Sequence, residues 1–261
     1  MDLRGLPKQE VTRDDVQYRQ KTRFRGVALS DVFAASPPPE AADLAILQFR
    51  NGMQVPVHPN DSAELSRLNA FIATEVWRPA SEGQAEGWST AFVPVGKAVA
   101  PGRDRRPIEF LGNKVMVETR WHPWVPERKD KKAFSPWAYV DSLVGIEYVQ
   151  RAAYERQFRV TSGGDAVGYG LFRQSCQFCH GVAKVGAKFG WDFAAPIALS
   201  EYRGPRSLAL HVKYREGDAP ERGLMMPAFP EFKDADLEAL WAWMSALGKQ
   251  KPQPYRLTGV P

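Results

Sequence analysis

Both cysteines of this 261-residue chain lie two residues apart in the stretch SCQFCHG, residues 175–181, with a histidine directly behind the second one. A cysteine pair of this spacing occurs as a redox dithiol, as half of a zinc site, as a strained disulfide or, when histidine follows, as the attachment site of a c-type haem. Each use demands a different local fold. The motif therefore constrains the chain more than any other feature of the sequence.

The surroundings of the cysteine pair favour haem. A zinc site of this type needs four ligands, and beyond the motif the chain offers only His58, His122 and His211 to complete it. A thioredoxin-like dithiol follows a strand and opens a helix, whereas the helical pattern GYGLFRQ precedes this pair. We therefore expect one covalently bound haem c, with thioethers to Cys176 and Cys179.

The iron of such a haem takes its first axial ligand from the motif itself, at His180. The second ligand is predicted in the stretch GLMMPAF, where Met226 is favoured over Met225 because the following proline stiffens the chain that presents the sulfur. His211 is the main rival, although its place inside SLALHVKYR is typical of an ordinary helical residue. Without a methionine ligand the iron would keep an open site.

Composition excludes several classes of protein. With 44% hydrophobic and 25% charged residues, the chain is typical of a globular protein and not of a disordered one. No apolar run approaches the roughly 18 residues of a transmembrane segment. The net charge of +5 arises from 35 basic residues spread among 30 acidic ones, so we expect a mildly basic surface and no nucleic-acid partner.

The first 158 residues are predicted to form an α+β domain, which we interpret as a non-catalytic docking scaffold. Residues 1–23 have no clear period and are predicted to be an arm, and FRGVALSDVFAAS favours one brief helix. Strands are expected at 44–50 and 53–58, around the turn pair Asn51-Gly52. Further elements are a helix in SAELSRLNAFIATEVW, capped by Ser62 or Asp61, and strands in KVMVETRW and at 143–150. Trp121, Trp124 and Trp137 are interpreted as loop packing.

Beyond residue 158 the pattern becomes helical, so the chain is predicted to continue as an all-α domain over residues 159–248 with a tail at 249–261. The stretch TSGGD, residues 161–165, is expected to be the linker that ends in a helix cap. Helical spacing then appears in DAVGYGLFRQSCQFCH, in SLALHVKYREG and in DADLEALWAWMSALGK. The fold class expected for the whole chain is α+β.

Residues 163–248 resemble a class I cytochrome c, with a first helix GDAVGYGLF leading into CQFCH, a later MPAF and a closing helix that contains ALWAWM. In that family the first and last helices cross at a small residue and an aromatic contact. The resemblance implies that Gly168 and Phe172 meet Trp243 or Trp241. It also implies that the carbonyl of Pro196 orients His180.

The first 158 residues are similar to parts of the sulfite-oxidase-type molybdopterin domain, through FRGVALSDVFAAS, LAILQFRNGMQVPV and SPWAYVDSLVGIEYV. In catalytic members of that family a cysteine thiolate binds molybdenum. Both cysteines of this chain belong to the haem motif, so we expect a truncated scaffold without that metal chemistry.

Together these features predict an electron carrier or electron-transfer subunit rather than an enzyme. Thioethers to haem are made outside the bacterial cytoplasm, so a periplasmic location is expected, with an export signal removed from the sequence. The expected partners are redox proteins such as a periplasmic dehydrogenase or oxidase. Two alternatives stay open: a haem-relay subunit of a larger dehydrogenase complex, and an open-site haem sensor or enzyme.

Overall fold

A computed structural model describes residues 3–15, 20–78, 85–92, 110–111, 113–117, 121–126, 134–138, 140, 142–160, 166–218 and 226–248. Three expectations fall on other residues: the linker at 161–165, the tail at 249–261 and the alternative ligand Met225. They lie outside the described residues and stay predictions.

The chain mixes helices and strands, as predicted. The helices are α1 (Leu29–Ala35), α2 (Ser62–Leu68), α3 (Arg151–Arg156), α4 (Ala166–Leu171), α5 (Leu199–Tyr202), α6 (Pro205–Asp218) and α7 (Asp234–Leu247), with a 3-10 turn at Pro136–Ala138 and a π-helical turn at Phe172–Cys176. The strands are β1 (Gln9–Asp15), β2 (Gln20–Ala28), β3 (Leu44–Phe49), β4 (Gln54–Val57), β5 (Phe71–Arg78), β6 (Gly87–Ser89), β7 (Ala91–Phe92), β8 (Phe110–Leu111), β9 (Lys114–Met116), β10 (Leu143–Val149), β11 (Gly181–Val182) and β12 (Val185–Gly186).

Two antiparallel sheets make up most of the amino-terminal part. One has the order β1-β2-β5-β6, with β9 also paired to β5, and the other has the order β10-β3-β4. Two further pairs, β7 with β8 and β11 with β12, complete the described strands. Because β11 and β12 lie in the carboxy-terminal part, the prediction that this part is all-α is wrong: a small hairpin directly follows the cysteine motif.

The predicted arm at residues 1–23 is wrong, because β1 pairs along its full length with residues 20–26 of β2. In β2 the side chains of Thr22 and Phe24 are buried while the intervening Arg23 points outward, which is the period of a half-buried strand. Glu10 on β1 accepts hydrogen bonds from Arg23 (3.1 Å) and Arg25 (2.6 Å). Phe24 is the only large apolar side chain on the inner face between residues 20 and 25, so an apolar-period search misses the strand.

The helix predicted over SAELSRLNAFIATEVW is right only for its first part. Its amino-terminal cap is as expected, since the Asp61 carboxylate accepts a hydrogen bond from the Glu64 N–H (2.9 Å). The helix ends at Leu68 because Asn69 adopts a left-handed conformation (φ 41°). The following FIATEVW is rich in β-branched and aromatic residues and forms β5, which pairs with β2.

The predicted hairpin around Asn51-Gly52 is confirmed as β3 and β4. Gly52 has a φ of +90°, a conformation that favours glycine, and its N–H donates to the Phe49 carbonyl (2.9 Å). The Asn51 side chain accepts from the Met53 N–H (3.0 Å). Strand β10 pairs with β3, as expected for residues 143–150.

The crossing of the first and last carboxy-terminal helices is also confirmed. Phe172, which follows α4, packs on Trp243 of α7 with ring centroids 4.6 Å apart. A Cβ on Gly168 would lie 2.6 Å from the Cβ of Trp243, so only glycine allows α4 to approach α7 this closely. Of the two tryptophans proposed for this contact, Trp243 is the one in the core, with 0% exposure.

The core is continuous across the domain boundary predicted near residue 158. Trp243 donates its indole N–H to the Phe158 carbonyl (2.8 Å), and the Phe158 ring lies 5.5 Å from that of Phe172. The boundary itself stays a prediction. Among the described residues, no helix combines the length and apolar character that a membrane crossing requires.

Two glycines of α4 offer a matched test of this crossing. Gly168→Ala inserts a methyl group against Trp243 and should lower the free energy of unfolding by about 1–3 kcal/mol. At Gly170 a Cβ meets nothing within 4 Å, so Gly170→Ala should raise the stability by up to about 1 kcal/mol through helix propensity. Denaturant titrations followed by tryptophan fluorescence measure both; equal effects of the two substitutions would contradict the proposed packing.

Candidate haem-attachment site

A π-helical turn ends at Cys176, the first of the two cysteines. The Gln177 N–H donates to the Phe172 carbonyl (3.0 Å), five residues back, and the His180 N–H donates to the Cys176 carbonyl (2.9 Å). Such turns are rare and are frequently found at functional sites. They place Cys176 and Cys179 close to the core, where both side chains are buried.

The two thiols form no disulfide with each other, and their burial favours the protonated form. Burial raises the pKa of Cys176 to about 12, with the neighbouring Cys179 adding to the shift, and burial raises the pKa of Cys179 to about 12. A disulfide oxidoreductase needs a thiol whose pKa is lowered. The redox-dithiol interpretation is therefore disfavoured.

The imidazole of His180 has a defined orientation. Its Nδ1 lies 2.7 Å from the carbonyl oxygen of Trp191, and because a carbonyl only accepts, Nδ1 carries the proton and donates. The Phe193 ring stacks on the imidazole with centroids 4.7 Å apart and planes 30° apart. Nε2 then holds the lone pair that a metal ion requires.

Gly190 makes room for this ring. A Cβ at position 190 would lie 2.6 Å from Nδ1 and 2.8 Å from Nε2 of His180, closer than real Cβ contacts. The Gly190 N–H donates to the Cys179 carbonyl (2.7 Å), which joins the loop after the motif to the motif itself. A larger residue at position 190 would therefore displace this imidazole.

Asp192 stabilises the strained turn between β11 and β12. Ala183 (φ 51°) and Lys184 (φ 70°) are both left-handed, which is unfavourable for residues with a side chain. The Asp192 carboxylate accepts from their backbone N–H groups (2.9 and 2.6 Å) and from the Ala194 N–H (2.8 Å). One carboxylate thus fixes both sides of the loop that carries Trp191.

The orienting role predicted for Pro196 needs correction. The carbonyl that accepts from His180 Nδ1 belongs to Trp191, which follows Gly190 directly and is held in place by the Asp192 contacts. Pro196 instead lines an open cavity of about 350 Å³ beside the histidine, together with Lys184, Ala187, Lys188, Gly190, Asp192 and Ala195. A contact between Pro196 and haem stays a prediction.

The segment that contains Met226 packs against the core. Met226 is half-buried, and three residues later the Phe229 ring lies 5.6 Å from Phe134 and 5.3 Å from Phe232. The Phe229 N–H donates to the Val212 carbonyl (2.8 Å), which anchors the segment to α6. The rival His211 lies within α6.

The histidines of the amino-terminal part are engaged in structural contacts. His122 is fully buried; its Nε2–H donates to the Pro56 carbonyl (2.9 Å), and its Nδ1 accepts from the Trp124 N–H (3.2 Å). Burial lowers the pKa of His122 to about 3, so the ring is neutral. His58 Nδ1 lies 2.6 Å from the Glu64 carboxylate. No group of three or more potential metal ligands occurs among the described residues, so a zinc site gains no support there.

The amino-terminal part contacts the motif directly, which the sequence did not predict. Phe178, between the two cysteines, is 0% exposed, and its ring lies 4.9 Å from His122 and 5.8 Å from Phe134. The loop-packing interpretation of the tryptophans is confirmed for Trp124 and Trp137, which are buried.

A charged network links the same regions. The buried Glu155 carboxylate accepts from Arg151 (2.8 Å) and Arg159 (3.3 Å) and lies 3.6 Å from Arg173, which belongs to the π-helical turn. The Arg173 guanidinium lies 4.5 Å from the centroid of the Trp124 ring. The turn that carries Cys176 is thus held electrostatically as well as by packing.

These residues fit a c-type haem. The site supplies two adjacent thiols, an imidazole whose Nδ1–H is engaged by a carbonyl, and a glycine where any larger residue would displace that imidazole. Thioether bonds need only that the sulfurs reach the vinyl groups, and the spacing of the motif provides this.

Residues 164–244 match the family model of cytochrome c oxidase, cbb3-type, subunit III. The chain has a carboxy-terminal segment of the c-type cytochrome kind. The match implies haem c and supports electron transfer by haem. It covers less than a third of the chain, and the likeness of the first 158 residues to the sulfite-oxidase type stays a prediction. No curated protein and no solved structure matched the chain.

The Asp192 contacts generate a testable expectation. Asp192→Asn keeps one acceptor oxygen but turns an amide group toward backbone N–H donors, so it should lower the free energy of unfolding by about 1–3 kcal/mol. The exposed Glu40→Gln is the control and should change stability by less than about 0.5 kcal/mol. Thermal unfolding measured side by side decides, and an unchanged Asp192→Asn protein would contradict the structural role of this carboxylate.

Proposed function

We propose that this protein carries one covalently bound haem c and transfers single electrons, with His180 and Met226 as the axial ligands of the iron. The observation that carries the proposal is the defined tautomer of His180, since Nδ1–H donates to Trp191 and Nε2 holds the lone pair. Cys176 and Cys179 would form the two thioethers. Haem supplies a one-electron iron couple when bound.

Electron transfer is favoured over catalysis by the ligand set. An iron with both axial positions filled changes oxidation state with little rearrangement and has no site for substrate. Methionine is a weak donor that favours ferrous iron and raises the reduction potential. The chain has one CxxCH motif and no further cysteine, which limits covalent attachment to a single haem.

A periplasmic location follows from the same chemistry, because thioethers to haem are made outside the bacterial cytoplasm. Within the proposal, residues 159–248 form the cytochrome domain, residues 249–261 form a tail, and residues 1–158 dock the cytochrome to a redox protein. Docking through residues 1–158 is supported by their contacts with Phe178, which place them beside the haem motif.

A second candidate is a haem-relay subunit within a larger dehydrogenase or oxidase complex. The matching family model is named for a subunit of an oxidase, which supports a role for this chain within an assembly. The shared hydrophobic core of the two parts of this chain fits a subunit whose amino-terminal part holds the cytochrome in place within the complex. Purification from the native host separates a free carrier from a complex.

Covalent attachment is tested by mass. Expressed in a host competent in cytochrome maturation, the protein should carry the mass of one haem and give a c-type pyridine haemochrome with one haem per chain. Cys176→Ala with Cys179→Ala should lose that added mass entirely, because no thioether remains. A bare polypeptide from the unsubstituted gene would refute the proposal.

The methionine ligand is tested by carbon monoxide. Met226→Leu should convert the six-coordinate ferrous haem to one that binds carbon monoxide readily, seen as a large Soret shift. Met225→Leu is the matched control and should behave like the unsubstituted protein. The opposite pattern would assign the ligand to Met225, and strong carbon monoxide binding by the unsubstituted protein would favour the open-site alternative.

A further inference from the structure

The outer edge of strand β4 lies against the haem motif. In an antiparallel strand the N–H and carbonyl groups of alternate residues point to the same side. Gln54 and Pro56 point away from β3: the Gln54 N–H donates to the Phe178 carbonyl (3.0 Å), and the Pro56 carbonyl accepts from His122 (2.9 Å). The cysteine motif therefore covers part of a sheet edge that would otherwise have unsatisfied groups.

The turn between β3 and β4 contacts the chain that follows β12, at Lys188 and Phe189. The Lys188 N–H donates to the Gly52 carbonyl (2.7 Å). A Cβ on Gly52 would lie 2.8 Å from the carbonyl carbon of Lys188 and 3.0 Å from the Phe189 nitrogen, so the two backbones touch. The backbone of the β3–β4 hairpin is thus hydrogen-bonded to the chain on both sides of His180. Gln54 bonds to Phe178 before it, and Gly52 bonds to Lys188 after it.

The hydrogen bond between Gly52 and Lys188 is close in sequence to the residues that contact the His180 imidazole. Lys188 is two residues from Gly190, whose N–H donates to the Cys179 carbonyl (2.7 Å), and three residues from Trp191, whose carbonyl accepts from His180 Nδ1 (2.7 Å). A shift of the backbone at Lys188 therefore changes the distance between that carbonyl and the histidine.

We propose that the β3–β4 turn is a positioning element for the haem ligand, in which Gly52 sets the hydrogen bond from His180 to the Trp191 carbonyl. This inference rests on the proposed ligation of haem by His180. A hydrogen bond from Nδ1–H increases the electron donation of the imidazole to iron, which stabilises the ferric state and lowers the reduction potential. The amino-terminal part thereby tunes the cytochrome.

Gly52→Ala tests the proposal, with Gly145→Ala as the matched control. Gly145 lies in β10 of the same sheet, and its Cβ would meet only the Gln48 side chain at 3.4 Å. Gly52→Ala should raise the reduction potential measured by spectroelectrochemical titration and alter the ferric low-spin resonance spectrum. Gly145→Ala should leave both unchanged.

Hydrogen exchange followed by mass spectrometry provides a readout that does not require haem. In Gly52→Ala, amides within residues 178–191 should exchange roughly tenfold faster, as expected for the loss of one backbone hydrogen bond, whereas Gly145→Ala should not change them. Asn51→Ala removes the side-chain acceptor for the Met53 N–H without adding an atom at the contact, and it should show a smaller change in the same direction. Asn51→Ala replaces Gly52→Ala as the test variant if Gly52→Ala does not fold.

The outcomes are distinguishable. Faster exchange with a higher potential supports the inference. An unchanged potential in a haem-loaded Gly52→Ala protein overturns it, as does an equal shift in Gly145→Ala. An unsubstituted protein without haem overturns both the proposed function and the tuning role. In that case faster exchange in Gly52→Ala would still show that the β3–β4 turn holds the backbone at Lys188.

Discussion

The hydrogen bond from His180 Nδ1 to the Trp191 carbonyl is the interaction on which the site depends. It fixes the tautomer, and it requires the loop after the motif to return to the histidine within hydrogen-bonding distance. Two other features of the loop allow the Trp191 carbonyl to reach the histidine. Gly190 leaves space for the ring, and Asp192 holds a turn with two left-handed residues that would be unfavourable alone. A loop without these devices would present an imidazole of undefined orientation.

The loop and the amino-terminal part satisfy each other's backbone groups. Strand β4 is an edge strand, and its outward N–H at Gln54 bonds to the motif, while the Gly52 carbonyl receives the Lys188 N–H. If the hairpin or the loop were buried without the other, these backbone N–H and carbonyl groups would have no hydrogen-bond partners. The free-energy cost of an unpaired buried group exceeds the net contribution of the hydrogen bond it would otherwise make. The two parts therefore pack as one core, even though their sequence patterns differ.

Sequence reasoning succeeded where a local feature determines the structure. The Asn51-Gly52 turn depends on glycine at a fixed place, while the Gly168 crossing with Trp243 was implied by the family resemblance. It failed where distant residues decide. Strand β2 alternates cations with few apolar residues and is recognisable only beside β1 and β5, and the partner of His180 is a backbone carbonyl, which carries no side-chain signal. The expectation of Pro196 came from a family pattern that this loop does not follow.

Through Phe134, the amino-terminal part packs against both segments that are proposed to supply the iron ligands. Its ring contacts Phe178, inside the motif that ends at His180, and Phe229, three residues after Met226. The two segments are distant in sequence, and a six-coordinate iron requires that both stay in place at once. In an isolated cytochrome segment only its own helices and the haem could hold them together. Here the Phe134 side chain adds a further connection, so the amino-terminal part would help to retain the proposed ligands in addition to its proposed docking role.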